Sequence, residues 1–529
     1  MQKQIDITIN DINFSNIKYN KNVNFNQFRE IVLSGIFQCI YDGRNTIFTT
    51  SINVTNKKKS NIVFILSKTD FHELLSILYF DFIKNFCQNT RDKKNTVKTF
   101  NFHRFKILFP ILVILFISFL NVPHIDFALK TIIILYYSLC VLIKSYYIII
   151  GCITRDDFEL NNDAITIQQK ELPKYTILIP MFKENHKTIL QSLKAIKNIE
   201  YPKNLLDVKF VLEKDDIKTL TIINDIKLPN YITTIHVPYF EPRTKPKACN
   251  FASLFAEGEI VVIFDAEDVA DKKQLMDAIK LFKKTDADIL QGCLTFYNFR
   301  KNLLTECFNI EYTVWFKMAL KIFSDKGITI PLGGTSNHIK YSFLEKNNFW
   351  DSYNVTEDLE LSVIANKNCA EIKHLQSDTK EWCVVDIKSF IKQRTRWQKG
   401  YLLTYLIHFF DKKNISTIKD FIFSHVIIGY TSLSFLLTPF LFFSLYTIQN
   451  NILIIFWSII NLLYYSTYCF IYASMIRNID ILLTWKRMFV FLIYPFYFIL
   501  HIISSYFALI EIFTKPFYWS KTEHLNDKN

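Results

Sequence analysis

The sequence predicts an α/β domain inserted between hairpins of transmembrane helices and preceded by a small N-terminal α/β domain. Apolar runs that are long enough to cross a bilayer lie on both sides of residues 172–410. Within residues 172–410, short β-branched runs alternate with helical segments, as in a parallel sheet with crossover helices. Half of the 529 residues are hydrophobic and 21% are charged. This balance is too apolar for a simple soluble enzyme and too charged for a chain that is mostly transmembrane.

The first hundred residues are polar and contain short apolar runs at Ile31–Ile40, Ile62–Ser67 and Leu74–Phe86. We interpret residues 1–100 as a small mixed α/β domain on the cytoplasmic side of a membrane. No motif in this segment predicts a role for it.

Residues 101–152 contain the first predicted hairpin, with spans at Phe105–Val122 and Phe127–Ile150 joined by a turn at Pro123–Asp126. Basic residues precede the first span, and the turn contains no Lys or Arg. Because positive charge stays on the cytoplasmic side, we expect the segments before and after this hairpin to be cytoplasmic.

Residues 415–478 form the second predicted hairpin, with spans at Phe421–Tyr446 and Ile452–Met475. The apolar stretch Met488–Phe513, within residues 480–529, is interrupted by polar residues and by Pro495. We interpret it as an interfacial helix on the cytoplasmic leaflet, followed by a cytoplasmic tail. A fifth transmembrane helix is the alternative.

The formal net charge of +13 does not predict a nucleic-acid partner. Lys is abundant together with Ile, Asn, Phe and Tyr, which indicates codon bias, so we assign the charge to solvated faces and membrane-flanking lysines. The ten cysteines are scattered and form no C-x-x-C pair, which argues against a zinc site and a disulfide framework. Reduced thiols in a cytosolic compartment fit this pattern.

Acidic residues follow the apolar strands predicted inside the α/β domain. The strands are predicted at Tyr175–Pro180, Val208–Leu212, Thr233–Val237 and Ile260–Phe264. The last one leads into Asp265, Glu267 and Asp268. Open α/β sheets bind ligands at the carboxyl ends of their strands, and carboxylate oxygens suit a divalent cation. An ordinary cluster of acids at a strand end is the alternative for this segment taken alone.

This strand and its acids resemble the D-x-D motif of membrane-embedded family 2 glycosyltransferases, the superfamily of cellulose and hyaluronan synthases. The chain is most similar to the branch of bacterial membrane β-glycosyltransferases and phage-receptor transferases. The resemblance implies a GT-A-type fold, a UDP- or GDP-sugar donor, and Mg²⁺ or Mn²⁺ held by Asp265 and Glu267 with Asp268 nearby. Glu267 stands where the motif has its second Asp.

Three further segments resemble the donor site of that family. Residues 180–184 resemble its Pro-x-x-Asn-Glu turn, with Lys183 in place of Asn, and residues 213–216 replace its usual D-D-G. Residues 247–250 resemble its K-x-x-N segment. The resemblance implies nucleotide-sugar binding by Pro180, Glu184, Glu213, Asp215, Asp216, Lys247, Asn250 and Asp265. We interpret Lys245, taken alone, as a solvated surface lysine.

The T-E-D motif of the family is matched by Thr356, Glu357 and Asp358. Thr356 can cap a helix whose positive end draws both acids to one place. By resemblance, Asp358 is the general base that removes the acceptor proton. Ordinary acids in a first helical turn are the alternative for the triplet alone.

The acceptor side is represented by a glycine loop and by a full Q-x-x-R-W motif. Gly333 and Gly334 precede Thr335 and are two of only ten glycines, which suggests close backbone approach to a ligand. Trp397 offers a flat face for stacking on a sugar, and Arg396 suits diphosphate oxygens. The resemblance implies acceptor or diphosphate binding by Gly333, Gly334, Thr335, Gln393, Arg394, Arg396 and Trp397.

The C-terminal residues Trp519, Lys521 and Thr522 resemble a W-x-K-T tail, comparable to the gating loop of polysaccharide synthases. The resemblance covers about residues 105–524. It implies an inverting transferase in the bacterial inner or plasma membrane, with a cytoplasmic catalytic domain, that acts on a glycan acceptor in cell-surface polysaccharide synthesis. Two alternatives are transfer of a single sugar to a lipid acceptor and a non-catalytic membrane scaffold. The sequence leaves the donor sugar, processivity, oligomeric state and partner subunits open.

Overall fold

The computed structural model describes residues 3–51, 62–91, 96–99, 123–153, 167–408, 416–447, 455–463, 465 and 484–519. The chain divides into two compact units. Unit 1 consists of Met1–Thr90, Gln168–Glu267 and His338–Ser352, and unit 2 consists of Arg91–Ile167, Asp268–Asn337 and Tyr353–Asn529.

The described strands, numbered in chain order, are β1 (Lys3–Asp6), β2 (Ile17–Lys18), β3 (Ile36–Tyr41), β4 (Arg44–Thr49), β5 (Ile62–Ile65), β6 (Tyr175–Met181), β7 (Leu206–Glu213), β8 (Ile232–Val237), β9 (Ile260–Ile263), β10 (Val269–Ala270), β11 (Ile289–Phe296), β12 (Asn337–Lys340) and β13 (Ile372–Glu381).

The described α-helices are α1 (Phe25–Ser34), α2 (Lys68–Leu78), α3 (Phe80–Gln88), α4 (Pro123–Ile153), α5 (His186–Asn198), α6 (Ile217–Asn224), α7 (Lys245–Ser253), α8 (Gln274–Lys284), α9 (Leu303–Tyr312), α10 (Leu320–Asp325), α11 (Tyr341–Lys346), α12 (Glu357–Lys367), α13 (Ile387–His408), α14 (Ile418–Phe421), α15 (Tyr430–Thr447), α16 (455–463) and α17 (Thr484–Thr514). Two π-helices, Thr313–Ala319 and Ile422–Gly429, continue α9 into α10 and α14 into α15.

The N-terminal part of unit 1 has the mixed α/β structure that the sequence predicts. Its sheet has the order β1-β5-β4-β3-β2, in which β5 pairs in parallel with β1 and β4, and the remaining pairs are antiparallel. The apolar run Ile31–Ile40 is divided between α1 and β3. Gly35 ends α1 in the left-handed conformation, with φ of 62°, which glycine adopts at little cost.

The second sheet of unit 1 has the order β12-β9-β6-β7-β8, and β9, β6, β7 and β8 are mutually parallel. These are the four strands predicted from the sequence. Because the strands are parallel, the acidic residues that follow β6, β7 and β9 lie at one edge of the sheet.

Helices α2 and α3 pack the N-terminal part of unit 1 onto this second sheet. Glu73 of α2 accepts hydrogen bonds from Lys214 (2.8 Å), which follows β7, and from His236 (3.1 Å), which lies near the end of β8. From α1, the buried Arg29 donates to the carbonyl oxygens of Leu254 (2.9 Å) and Ala256 (2.6 Å). The N-terminal residues therefore belong to the unit that carries the predicted donor site.

Unit 2 contains the three strands β10-β13-β11 and the long helices. Strand β13 pairs in parallel with β11, with a bulge between Gly292 and Cys293, and antiparallel with β10. Helix α13 packs beside α12 and along α17. The predicted Q-x-x-R-W motif lies in the middle of α13.

Among the residues that the structure describes, three helical segments are long and apolar enough to cross a membrane: Thr131–Ile150, Ile418–Pro439 and Leu492–Thr514. The predicted span Phe105–Val122 lies outside the described residues, and of Ile452–Met475 only the helical residues 455–463 and 465 are described. The predicted turn at Pro123–Asp126 is wrong, because α4 begins at Pro123. Proline is favoured in a first helical turn, where its missing N–H leaves no hydrogen bond unmade.

Candidate active site

The predicted donor residues of unit 1 divide into buried and accessible groups. Glu213 is buried and accepts two hydrogen bonds from the fully buried ammonium of Lys247, at 2.8 and 2.9 Å. Burial raises the pKa of Glu213, although Lys247 opposes the shift. Asp216 caps α6 by accepting from Thr219 and also accepts from the backbone N–H of Lys183. Asp216 therefore joins the segments that follow β6 and β7, and Glu213 joins the end of β7 to α7.

Asn250 has a structural environment that the sequence did not indicate. Its side chain is fully buried, and it donates to the Trp350 carbonyl (2.8 Å) and to Ser352 Oγ (3.0 Å). Its Oδ1 accepts from the Trp350 N–H at 3.1 Å. Asn250 therefore holds the segment after α11, and these contacts give no support to its predicted role in donor binding.

The accessible group consists of Pro180, Glu184, Asp215 and Asp265, which are all at least partly exposed. Asp215 pairs with Arg243 at 2.8 Å. The Arg243 guanidinium lies over the rings of Phe182 (5.3 Å) and Tyr239 (5.5 Å). The exposed edge of the sheet thus has carboxylates, a guanidinium and two aromatic rings close together.

The interpretation of Lys245 as a solvated lysine is wrong. Its side chain is only 10% exposed, and Nζ donates to Asp265 Oδ1 at 2.5 Å. Thr244 caps the start of α7, which brings Lys245 at the first position of the helix to the end of β9. A fixed positive charge therefore lies on the first acid of the predicted D-x-D motif.

The other two predicted metal ligands are buried. Glu267 is 8% exposed, and its backbone oxygen accepts from Gln191 at 2.9 Å. Asp268 begins the unit 2 segment, where its Oδ2 accepts from Thr335 Oγ1 at 2.5 Å. Among the described residues, no three His, Cys, Asp or Glu side chains lie close enough together to hold a metal ion.

Unit 2 brings the T-E-D motif against the Q-x-x-R-W helix. Helix α12 begins at Glu357 with Thr356 as its N-cap residue. Gly400 of α13 lies so close to Thr356 that an added Cβ would be 2.2 Å from Thr356 Oγ1. Arg396 donates to the Val355 carbonyl oxygen at 3.3 Å. The start of α12 is therefore fixed on the face of α13 that carries the motif.

Thr356 occupies the predicted capping position, but its side chain does not cap the helix. Its hydroxyl donates to Asn354 Oδ1 at 3.4 Å, and no cap hydrogen bond is made. Asp358, in the first turn, is partly exposed, whereas Glu357 is buried. Burial and the negative charge of Asp358 raise the pKa of the nearby Tyr401.

The motif residues of α13 differ in their accessibility. Trp397 is partly exposed, and its ring lies beside Tyr312 with centroids 6.3 Å apart. Gln393 and Arg394 are buried. Within the described part of the chain, Gln393 Oε1 has no hydrogen-bond partner. Arg394 forms a bidentate pair with Glu311, a residue that lies in no predicted motif.

The glycine loop has a packing explanation that differs from the expected one. A Cβ on Gly333 would lie 2.9 Å from Leu294 Cδ1 and 3.2 Å from Phe316 Cζ. The Gly333 N–H donates to Gln291 Oε1 at 2.7 Å. Protein side chains therefore account for glycine at position 333, and the expected close approach to a ligand is not needed to explain it.

The described part of the predicted tail reaches the same helix. The Arg396 guanidinium lies 5.4 Å from the ring centroid of Trp519. Lys399, which is buried, donates to the carbonyl oxygens of Lys515 (3.1 Å) and Tyr518 (3.0 Å). Lys521 and Thr522 lie outside the described residues.

Two family models match the chain. The model "Glycosyl transferase family 2" matches residues 176–337, and "Glycosyl transferase family group 2" matches residues 260–513. Together they extend from β6 almost to the end of α17, which is more than half of the chain. The chain belongs to glycosyltransferase family 2. The predicted family and the predicted enzyme class, a nucleotide-sugar-dependent glycosyltransferase, are confirmed.

Curated relatives of this glycosyltransferase are moderately similar to it. A probable glycosyltransferase, YdaM of Bacillus subtilis (strain 168), is 28% identical over 56% of this chain and 70% of its own length. A beta-monoglucosyldiacylglycerol synthase of Nostoc sp. is 23% identical over 45% of this chain and 51% of its own length. A poly-beta-1,6-N-acetyl-D-glucosamine synthase of Staphylococcus epidermidis is 24% identical over 44% and 56%. The chain thus spans about half the length of the last two relatives.

A solved structure with some likeness to the glycosyltransferase is the mannosyltransferase PcManGT from Pyrobaculum calidifontis, in complex with GDP-Man and Mn²⁺. It is 15% identical, with a TM-score of 0.45, and the match covers 72% of this chain and 99% of that chain.

The predicted site residues thus form two sets, one in each unit. In unit 1, Arg243 pairs with Asp215 and Lys245 pairs with Asp265. In unit 2, the T-E-D and Q-x-x-R-W segments meet where Thr356 contacts Gly400 and where Arg396 donates to Val355, and Glu311 pairs with Arg394. Of these residues, Glu311 lies in no motif predicted from the sequence, whereas Arg243 and Lys245 lie just before the predicted K-x-x-N residues. The expectation that both sets share one pocket involves both units and stays a prediction.

Proposed function

We propose that the chain is a membrane-bound inverting glycosyltransferase that transfers a sugar from a UDP- or GDP-sugar to a glycan acceptor at the cytoplasmic membrane face. The product would belong to a cell-surface polysaccharide. The contact of Thr356 with Gly400 carries the proposal, because it fixes a partly exposed carboxylate next to the helix of an aromatic–arginine motif. Deprotonation of an acceptor and docking of a sugar require these two features at one place.

Asp358 is the proposed general base. It lies in the first turn of α12, where the helix dipole favours the charged carboxylate. The acceptor hydroxyl loses its proton to Asp358 as its oxygen attacks the anomeric carbon, and the bond to the nucleoside diphosphate breaks on the opposite side. This single displacement inverts the anomeric centre, so an α-linked donor gives a β-linked product.

The donor is proposed to bind at the exposed edge of the unit 1 sheet. Asp215 and Arg243 offer an acceptor and a planar set of donors for the nucleotide, beside the rings of Phe182 and Tyr239. Lys245 offers a positive charge for the diphosphate once it releases Asp265. The oxyanions of the leaving group require such charge in the transition state.

Mg²⁺ or Mn²⁺ is the proposed cofactor, with Asp265 as the accessible ligand and Glu267 and Asp268 next to it in the chain. The hard carboxylate oxygens suit either ion. Such a site is completed by diphosphate oxygens and water. The bound ion would neutralise the charge that develops on the leaving diphosphate.

Trp397 is the proposed platform for the acceptor sugar, and the preceding residue, Arg396, lies against Trp519 of the tail. An indole presents a large apolar face at low conformational cost. The partial exposure of Trp397 leaves part of that face accessible.

Helix α17 is proposed to lie at the membrane interface. It runs beside α13, from Tyr497 next to Phe390 to Glu511 next to Lys399. Helix α13 carries five basic residues between positions 388 and 399 and is therefore unsuited to hydrocarbon. The opposite side of α17 exposes an apolar stripe: Phe489, Leu492, Phe496, Ile499, Ile503, Phe507 and Ile510. Such a stripe suits the boundary between headgroups and acyl chains.

Depth-dependent fluorescence quenching distinguishes an interfacial α17 from a fifth span. Bimane is attached at Phe496→Cys or Ile503→Cys on a cysteine-free background, in vesicles that contain lipids brominated at different depths. Leu139→Cys in α4 is the reference for the bilayer interior. We expect shallow quenching for both positions of α17, and quenching as deep as that of the reference would refute an interfacial position.

The catalytic proposal is tested on the detergent-purified full chain. UDP-glucose, UDP-N-acetylglucosamine and GDP-mannose are supplied with chitotetraose, with and without MnCl₂, and released UDP or GDP is measured. We expect metal-dependent release from at least one donor and a loss of about 10²–10⁴-fold in Asp358→Asn, the range for a removed general base. Glu371→Gln removes a partly exposed carboxylate of unit 2 and is the matched control. Equal turnover by Asp358→Asn and the unmodified chain would refute the role of Asp358.

Transfer of a single sugar to a lipid is the second candidate, because one relative is named a beta-monoglucosyldiacylglycerol synthase. The same donors are supplied with radiolabel and dioctanoylglycerol micelles. Chloroform-extractable product without high-mass glycan would favour the lipid acceptor. Labelled material of high mass that stays in the aqueous phase would favour the glycan acceptor.

A further inference from the structure

A buried ion pair in unit 2 links the Q-x-x-R-W helix to α9. Arg394 donates to both oxygens of Glu311, from Nη1 at 2.9 Å and from Nη2 at 2.6 Å. The Arg394 side chain is 7% exposed. A bidentate pair fixes the plane of the guanidinium as well as its position. Glu311 therefore determines how Arg394 is oriented.

The oriented guanidinium lies against aromatic rings. Arg394 Cζ is 4.4 Å from the ring centroid of Trp397 and 4.3 Å from that of Phe308. Cation–π attraction is strongest when the cation is desolvated and faces a Trp ring. Because Arg394 is buried and both of its terminal nitrogens are bound by Glu311, it is poorly placed to reach a diphosphate. Its contact with Trp397 is the one that can influence a ligand.

Helix α17 supports the same carboxylate. Tyr497 donates to Glu311 Oε2 at 2.5 Å, and His501 Nε2 lies 3.6 Å from this oxygen. Burial alone raises the pKa of Glu311, but Arg394 and His501 outweigh this effect and lower it to about 2. The carboxylate is therefore charged at neutral pH and is held from three directions.

We infer that Glu311 is a positioning residue of the acceptor site, which holds Arg394 against Trp397 so that the indole keeps one orientation. The inference rests on the proposed function, in which Trp397 receives the acceptor sugar. It revises the expected role of Arg394 from binding the acceptor or the diphosphate to supporting the indole. Glu311 acts through Arg394 and Trp397 and does not itself touch a substrate.

The orientation of Trp397 is measured directly by ¹⁹F NMR of the full chain labelled with 5-fluorotryptophan, in detergent micelles. The chain has seven tryptophans, and the Trp397 signal is assigned by its loss in Trp397→Phe. We expect this signal to shift and broaden in Glu311→Gln, because the guanidinium loses its charged partner and leaves the indole. We expect no change in the control Glu371→Gln, which breaks a partly exposed pair with Lys373.

A charge exchange separates positioning from stability. In the double variant Glu311→Arg and Arg394→Glu the ion pair is restored, but the guanidinium now extends from α9 and not from the turn that precedes Trp397. We expect the thermal midpoint to return towards that of the unmodified chain while the Trp397 signal stays shifted. The inference would be overturned if the exchange restored both the thermal midpoint and the Trp397 signal, or if Glu311→Gln left the Trp397 signal unchanged. Glu311→Asp provides the same measurement should Glu311→Gln not fold, with a smaller shift expected.

Kinetics then connect the orientation to the acceptor. With the donor and acceptor that react in the transfer assay, we expect Glu311→Gln to raise the acceptor KM about tenfold and leave the donor KM within about twofold. An equal rise in both KM values would contradict the inference. If Trp397→Ala leaves the acceptor KM unchanged, the proposed acceptor platform fails, whereas the NMR result still decides whether Glu311 positions Trp397.

Discussion

At the scale of single residues, the pairing of Lys245 with Asp265 changes how the D-x-D acid is understood. The ammonium of Lys245 lies where a cation bound to Asp265 would also be attracted, and the pair is mostly shielded on the lysine side. A metal ion must therefore compete with a tethered positive charge. This competition would keep metal affinity low until a donor supplies further oxygens.

The Lys245→Met variant is expected to bind Mn²⁺ about fivefold more tightly than the unmodified chain in the absence of donor, since one nearby like charge costs ~1 kcal/mol at a solvated site. Electron paramagnetic resonance titration of free Mn²⁺ measures this affinity. Lys214→Met removes an exposed lysine of the same unit that pairs with Glu73, and it should leave the affinity unchanged. Weaker binding by Lys245→Met would show that Lys245 does not oppose the metal.

Lys183 departs from the family pattern and has a backbone conformation that Asn adopts more readily. It has φ of 53° and is followed by Glu184 of the predicted donor turn. The left-handed conformation is several-fold more common for Asn than for most non-glycine residues. The Asn that is usual at this position in the family therefore suits the turn better than Lys does.

Lys183→Asn is expected to raise the free energy of unfolding by ~0.5 kcal/mol through relief of this backbone strain. Thermal midpoints of the purified variants provide the measurement. The control Lys187→Asn makes the same substitution in the first turn of α5, where the backbone is helical, and it should not stabilise the chain. A lower midpoint for Lys183→Asn than for the unmodified chain would contradict the assignment of strain.

At the scale of elements, α12 is fixed by a buried ion pair as well as by its contact with α13. Arg91 Nε and Nη2 donate to Glu360 at 3.0 and 2.9 Å, and the two side chains are 5% and 1% exposed. Glu360 lies two residues after Asp358 in α12. The pair therefore stabilises the element that presents the proposed base.

Arg91→Met is expected to destabilise the chain by about 3–5 kcal/mol, because it leaves the Glu360 charge buried without its partner. Lys373→Met breaks the partly exposed pair with Glu371 and should cost at most about 1 kcal/mol. Chemical unfolding of the full chain, followed by tryptophan fluorescence, compares the two. Similar losses for both variants would mean that the Arg91–Glu360 pair has no special weight.

At the scale of the whole molecule, acid pH should weaken the attachment of the N-terminal residues. The hydrogen bond from His236, opposed by burial and reinforced by Lys214, lowers the pKa of Glu73 from 4.5 to about 2. A carboxylate with a depressed pKa stabilises the folded state above its unfolded value and loses this contribution as pH falls towards the folded value. The stabilising effect of Glu73 is therefore complete above about pH 4.5 and is lost between pH 4.5 and 2.

The thermal midpoint is expected to fall as pH is lowered from 5 to about 3, and Glu73→Gln should show a lower midpoint at neutral pH with a smaller decline. Differential scanning fluorimetry over this pH range measures both. Glu371→Gln should keep the full decline. If Glu73→Gln declined as steeply as the unmodified chain, the pair of Glu73 with His236 and Lys214 would not contribute.

The sequence by itself determined the four parallel strands of the second sheet of unit 1, the acids at their ends, the described apolar helices and the family. These features depend on short-range hydrophobic patterns and on motifs of a few consecutive residues, which are visible without coordinates. It could not show which motif residues are used internally. Asn250 and Lys247 look like ligand residues in the sequence, and only their burial shows that the protein itself occupies their polar groups.

The tertiary structure decided the partners of the charged residues. Glu311 and Arg394 are 83 positions apart, and Arg91 and Glu360 are 269 apart. No local pattern relates such residues, because the free energy of an ion pair depends on burial and geometry that arise only when distant segments pack. The choice of glycine at positions 333 and 400 has the same origin, since the atoms that exclude a Cβ there belong to other segments of unit 2.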